Sequence, residues 1–454
     1  HGVLLLNMHH IATDGWSMEI LTKELFALYS AFAQQQANPL PALPIQYGDY
    51  ACWQREKHQA DKLEKQLEYW VSQLDELPTV HGLTLDRARP QVKQHQGAVV
   101  SGELPAQVAA QLNRLAKQWG LTPFMLYQGI FALMLSRHSN SHDIVMGTPV
   151  ANRMLPELEP LIGFFVNTLV LRVDTQHNTL GDYLAHVQKV HVQAQANQDV
   201  PFEHLVDKLK PTRSQAHNPL FQIMMTTNTE YGLGQTDEAS AADLAGVSIA
   251  PLRAEQVQSK FDLHLSVNIS GTFEWTFDTH LFEPSRIERF NEHFVRLLTA
   301  VSETLGREEG SESGANAIRL ASLPMLSDEE VQRLTVTLNN TAADFPQDKC
   351  IHHFFEQQAL SQPDAVAFVM EDQTLTYREL NAQANQLAHY LIINHGVKPN
   401  QLVGLCTERS LSMVVGILAI LKSGAAYVPL DPHLPTERLN YMLEDAALSV
   451  VLSH

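Results

Sequence analysis

The chain has 454 residues, 44% of them hydrophobic and 18% charged, and a formal net charge of −19. That length predicts two or three soluble domains, and an acidic balance without a basic patch argues against nucleic acid as a partner. Cys52, Cys350 and Cys406 are too few and too dispersed for a disulfide framework or a Cys-rich metal site; they fit a reducing, cytoplasmic setting.

The most apolar stretch, MVVGILAILKSGAAYVPL, meets Lys422 too early to span a bilayer, and no signal peptide opens the chain. The sequence lacks an initial Met and starts almost inside a strand, so it reads as a piece of a longer polypeptide cut at both ends. Residues 3–8 read as a buried strand. A helix is predicted from about Ser17 to Phe32, with Leu21, Leu25, Leu28 and Phe32 on one face. Pro39, Pro41 and Pro44 break the chain, and one helical stretch then runs from Gln46 to Trp70.

From residue 97 strands and helices follow one another. GAVVSGEL is a predicted strand. PAQVAAQLNRLAKQWG is a helix with Pro105 in its first turn and Gly120 past its end. Thr122 and Pro123 open the helix FMLYQGIFALMLSRH. DIVMGTPV and FFVNTLVLRV are strands, a helix covers 179–196, and Asp199 and Pro201 mark another helix start. FQIMMTTNT, FDLHLSVNIS and TFEWTFDT supply further strands, and a helix from Pro284 to about Val301 closes the unit. The polar stretch TLGREEGSESGANAI is the linker candidate.

A second unit begins near residue 345. Thr376 and Glu379 form a capping box that opens a helix bearing Leu380, Leu387 and Leu391 and ending at Gly396. Strand LVGLCT, helix LSMVVGILAILKSG, strand AYVPL, a helix from Pro435 and strand LSVVLS follow. This alternation predicts a parallel α/β layer.

The chemistry concentrates in VLLLNMHHIATDGWS, residues 3–17. Neighbouring side chains on a strand point to opposite faces, so His9 and His10 share a cavity only if the backbone turns between them. An imidazole near its ordinary pKa of about 6.5 can accept a proton from a nucleophile or hold it by hydrogen bonding. Asp14 could orient a histidine or lock the loop by pairing with an arginine, and Gly15 permits close backbone approach or an amide aimed at an oxyanion. A hydrogen-bonded structural role for the histidines is the competing reading. Adjacent histidines on a strand diverge and no third ligand stands at an obvious spacing, which disfavours zinc; His352 and His353 have the same problem and read as structural.

MHHIATDGWS resembles the HHxxxDG motif of condensation domains of nonribosomal peptide synthetases. It has company in the family's order: LPIQYGDYACWQRE, LIGFFVNTLVLR (IGxFVNT), NQDVPFEHLV (QDxPFE) and HNPLFQIMM (NPLFQ). LTYREL and LKSGAAYVPLDP are similar to the first motifs of an amino-acid adenylation domain.

The resemblance implies an α/β fold like chloramphenicol acetyltransferase, with a condensation domain over 1–304 that lacks most of its N-terminal lobe. A linker over 305–344 and the N-terminal part of an adenylation domain over 345–454 follow. It implies amide formation between a carrier-bound acyl or peptidyl thioester and an aminoacyl thioester, in a piece expected to be inactive alone. A non-catalytic carrier-binding platform and an epimerisation-type domain are the alternatives. His10 is then the catalytic candidate with Asp14 and Gly15; His9 is structural, and Arg153 is the candidate partner of Asp14. Asn218 is either near the channel or a turn residue, and Phe165, Val166, Phe202 and Phe221 are core or channel wall. No metal or cofactor is expected on this chain: phosphopantetheine belongs to partner carrier domains, and ATP with Mg only to a complete adenylation domain.

Overall fold

A computed structural model describes residues 3–227, 257–307 and 318–453. The chain divides into two compact units, residues 1–339 and 340–454.

The first unit is built on a seven-stranded mixed sheet. Its strands are β1 (Gln96–Glu103), β2 (Asp143–Val150), β3 (Asn167–Asp174), β4 (Ile223–Thr227), β5 (Val257–Gln258), β6 (Leu263–Val267) and β7 (Thr272–Asp278), in the order β3-β2-β4-β6-β7-β1-β5. β2, β4 and β6 run parallel, while β3 and β7 run against them. The helices are α1 (Gly15–Ala33), α2 (Tyr47–Gln54), α3 (Lys57–Gln73), α4 (Ala106–Gln118), α5 (Pro123–Ser139), α6 (Leu180–Ala196), α7 (Phe202–Leu209) and α8 (Pro284–Arg307).

Helix α5 is buried on every side from Met125 to Ser136, as a helix apolar all round must be. Its Phe131 meets Trp275 and Phe294 edge-on, with centroids 5.6 and 6.0 Å away, and these rings join β7, α5 and α8 in one core. Successive strand residues face opposite ways. Met146 therefore reaches Gln128 of α5, while Gly147 turns to the other face. There the Phe221 ring fills the space a Cβ would take, 2.2 Å from it, and meets Phe202 of α7. A side chain at 147 would have to displace that ring.

Three local readings change. Residues 3–8 are not a buried strand. No strand among the described residues pairs with them, and Val3, Leu4 and Leu5 are 77%, 69% and 83% exposed. An apolar run becomes a strand only where a neighbouring strand takes its backbone groups. The predicted helix over 46–70 is two helices, because Glu56 is extended (φ −64°, ψ 149°) between α2 and α3. The FFVNTLVLRV strand starts only at Asn167, which leaves Phe164–Val166 as a loop.

Of the predicted linker, residues 308–317 lie outside the described residues. Its next stretch packs on the first unit: the Arg137 guanidinium donates to the carbonyls of Leu323 (2.7 Å) and Leu320 (2.9 Å). A short helix, Asp328–Gln332, follows. Its Glu330 meets His293 at 3.0 Å, and His293 meets His138 at 2.9 Å. Burial, then the neighbouring His293, pushes His138 down to about 4.

The second unit has a parallel three-stranded sheet in which Leu402–Cys406 lies between Ala426–Leu430 and Val451–Ser453. Thr376 caps the helix Tyr377–His395 and Glu379 closes the box, as the sequence predicts. The sequence pattern does not anticipate the antiparallel hairpin of Val366–Met370 with Gln373–Thr376. His353 accepts from the Cys350 amide at 3.0 Å, a capping contact.

Candidate functional site

The backbone does turn between the two histidines. His10–Ala12 is a single 3-10 turn, and His9 caps it by accepting the Ile11 amide at Nδ1, 3.1 Å. His10 Nδ1 lies 2.8 Å from the Thr13 carbonyl, which can only accept, so Nδ1 carries the proton. The Nε2 lone pair is left available on an exposed ring. Phe164 meets that ring edge-on, with centroids 5.1 Å apart and planes at 76°.

Asp14 is the N-cap of α1, a position that favours a side-chain oxygen able to accept first-turn amides. Its Oδ1 accepts the Ser17 amide (2.8 Å), the Ser17 hydroxyl (2.7 Å) and Arg153 Nη2 (3.3 Å). Its Oδ2 accepts the amides of Phe165 (2.9 Å) and Val166 (3.1 Å). Burial alone would raise its pKa. Ser17, the Phe165 amide and the Arg153 charge outweigh that and hold the carboxyl below the ordinary aspartate range.

Arg153, just past β2, also donates to the carbonyls of Leu158 and Leu161, and its guanidinium lies 4.0 Å from the centre of the Phe165 ring. Ser17 is fully buried at the centre of this knot. Its Oγ lies 2.8 Å from Arg153 Nη2, 2.8 Å from the Gly163 carbonyl and 3.1 Å from the Gly163 amide.

A carboxyl with a lowered folded-state pKa contributes stability that is fully present above its unfolded value, about 3.9, and lost as the pH falls through the folded value. The stability difference between wild type and Asp14→Asn, read from urea unfolding between pH 7 and pH 2, should hold steady above about pH 5 and shrink below it. A difference independent of pH would sink this assignment.

Gly163 sits where Tyr47 leaves no room. A Cβ there would lie 2.2 Å from Tyr47 Cδ2, and the Tyr47 hydroxyl is itself bound to the Phe164 carbonyl at 3.0 Å. Gly163→Ala should cost roughly 1–3 kcal/mol in denaturant unfolding, the usual range for overpacking. Unchanged stability would mean that the Tyr47 ring yields freely.

Gly15 is the first residue of α1, and a Cβ on it would meet nothing within 4 Å, so the space before it is open. Asn218 lies elsewhere. β2 and β4 run parallel with Gly147 beside Met224. Arg153 follows the end of β2 and Asn218 precedes the start of β4, so they lie at opposite ends of the sheet. Asn218 donates to the Lys260 carbonyl at 3.0 Å, and its own carbonyl accepts Gln222 Nε2 at 3.0 Å.

Beside it is a cluster that sequence reading missed. Fully buried Asp262 is met by Arg89 (2.6 Å), Lys93 (3.1 Å) and His81 (3.2 Å). Burial opposes ionisation of Asp262, but His81, Arg89 and Lys93 together hold the carboxyl far below its ordinary range.

Sequence reading also missed Ser17 and the amides of Phe165 and Val166. For Ser17 a signal existed: it stands three residues after an aspartate at a helix start, where an N-cap places its bonded partner. Among the described residues no cluster of three His, Cys, Asp or Glu could hold a metal ion, and no helix is long and apolar enough to cross a membrane.

A mixed sheet backed by helices, with a histidine turn pinned by a buried carboxylate–guanidinium pair, is the layout of an acyltransferase-type domain with an HHxxxDG motif. The chain belongs to the condensation-domain family, whose model matches residues 1–316; the model of AMP-binding enzymes matches residues 355–454. It is similar to one of the chains of the linear gramicidin synthase of Brevibacillus parabrevis, 41% identical over 99% of this chain and 8% of the relative. It is also similar to malpinin synthetase of Mortierella alpina, 41% identical over 99% of this chain and 6% of the relative. The chain thus spans less than a tenth of either. The crystal structure of a holo four-domain nonribosomal peptide synthetase bound to AMP and glycine matches 98% of this chain and 33% of its own, with a TM-score of 0.66 and 28% identity.

Proposed function

We propose that this chain is part of a condensation domain that, within a longer polypeptide, forms peptide bonds between two carrier-bound thioesters in nonribosomal peptide synthesis. The amine of an aminoacyl thioester attacks the carbonyl of an acyl or peptidyl thioester. A C–N bond forms, the C–S bond breaks, and the proton released by the amine passes to the departing thiolate. His10 Nε2 either takes that proton or holds the amine by accepting its hydrogen bond. Asp14 and Arg153 keep the loop in shape, His9 caps the turn, and Gly15 leaves the approach open. Asn218 braces the far end of the sheet.

The observation that carries this reading is His10 itself. Its Nδ1 is tied to the Thr13 carbonyl at 2.8 Å, so the free nitrogen is the one that can accept a proton. The partners are upstream and downstream carrier domains, whose phosphopantetheine arms bring the thioesters. A cytoplasmic location suits three dispersed thiols.

We take the condensation unit to end near residue 304 and the adenylation unit to begin near 345, with a linker between them whose residues 320–330 pack back on the first unit. Residues 355–454 contain no Gly-, Ser- and Thr-rich phosphate loop in their sequence, and the condensation step draws on no nucleotide. The test uses the natural full-length polypeptide with both carriers loaded. Dipeptidyl thioester is followed by mass spectrometry, wild type against His10→Ala, alongside carrier binding. Wild-type product from the variant overturns the reading, and binding without any turnover in either protein identifies a platform instead.

A further inference from the structure

Phe164 is an aromatic residue that the core does not absorb. Its neighbour Phe165 is the buried ring, 2% exposed beneath the Arg153 guanidinium, while Phe164 remains half-buried. Among the described residues its ring meets one other aromatic ring, that of His10.

The loop carrying Phe164 is fixed on both sides. Ser17 binds the amide and carbonyl of Gly163, the Tyr47 hydroxyl binds the Phe164 carbonyl, and Asp14 binds the amides of Phe165 and Val166. A backbone held at so many points presents its side chain at a set place. The His10 ring is therefore restrained twice, at Nδ1 by the Thr13 carbonyl and on its side by the edge-on contact with Phe164.

We propose that Phe164 is a positioning residue: its ring locks the His10 imidazole in the orientation that turns Nε2 toward the attacking amine. This rests on the condensation function proposed above. A single hydrogen bond at Nδ1 lets a ring rock about that bond, and a second contact removes the motion. Reaction rates depend steeply on that orientation.

The test uses the natural full-length polypeptide with loaded carriers. Phe164→Ala should lower kcat about 3- to 10-fold, the range expected from one edge-on aromatic contact, with KM and Tm unchanged. Phe164→Tyr should keep wild-type kcat, and Phe164→Leu, of similar bulk without a ring, should fall with alanine. Wild-type kcat in the alanine variant, leucine as active as tyrosine, or a loss that follows Tm would each overturn the proposal. His10→Ala in the same assay separates the two readings. An active His10→Ala enzyme removes the condensation role of His10, while an inactive one beside a fully active Phe164→Ala removes only the role of Phe164.

Discussion

Dipeptidyl thioester formation should fall ~10²–10⁴-fold in His10→Ala, the range typical of a positioned general base. The residual rate should remain well above zero, because proximity survives the loss of the imidazole. Holding two tethered reactants together contributes up to ~7–11 kcal/mol without any imidazole. His9→Ala is the informative control. His9 caps the turn with Nδ1 and should cost roughly 0.5–2 kcal/mol of local stability, with turnover within a few-fold of wild type. Equal losses from both variants would mean that the pair acts as one structural unit and that His10 has no separate chemical role.

The second large effect is expected far from that turn. Asp262→Ala leaves Lys93 and Arg89 as buried like charges with no carboxylate between them. Removing one partner of a buried ion pair typically costs about 3–5 kcal/mol, because the remaining charge stays desolvated. The same network reaches the segment before β1 through His81 and the Gln222 side chain, which binds the His81 amide at 2.9 Å. Guanidinium unfolding should show the loss, and adding Lys93→Met to Asp262→Ala should recover part of it. A cost below about 1 kcal/mol in the single variant would show that Lys93 and Arg89 reach water once released.

Local signals were legible in the sequence where a residue type dictates a backbone state. Thr122 caps α5 by accepting the Met125 amide, Thr376 and Glu379 box the start of a helix, and Gly396 ends it at φ +63°. Boundaries failed where no such residue stands. The break at Arg55–Glu56 has neither Gly nor Pro, and the run at residues 3–8 has the composition of a strand without a neighbour to pair with.

The site was legible only in part. Residue patterning brings out His9, His10, Asp14 and Gly15 because they are close in sequence. The Asp14–Arg153 contact spans 139 positions and was reachable only through family resemblance. The amides of Phe165 and Val166 could not be read at all, since every residue but proline offers one. Asp262 escaped for a similar reason: its partners Lys93 and His81 lie 169 and 181 positions away.

The tie between His10 and the Thr13 carbonyl has a chemical consequence. In a serine-hydrolase triad a carboxylate behind the imidazole stabilises the cation that forms when the ring takes a proton. Here the group behind the ring is neutral, and the nearby carboxylate of Asp14 is committed to Ser17, Phe165, Val166 and Arg153. If the His10 ring took a proton, no carboxylate would stand behind the resulting cation, which sets this site apart from such a triad.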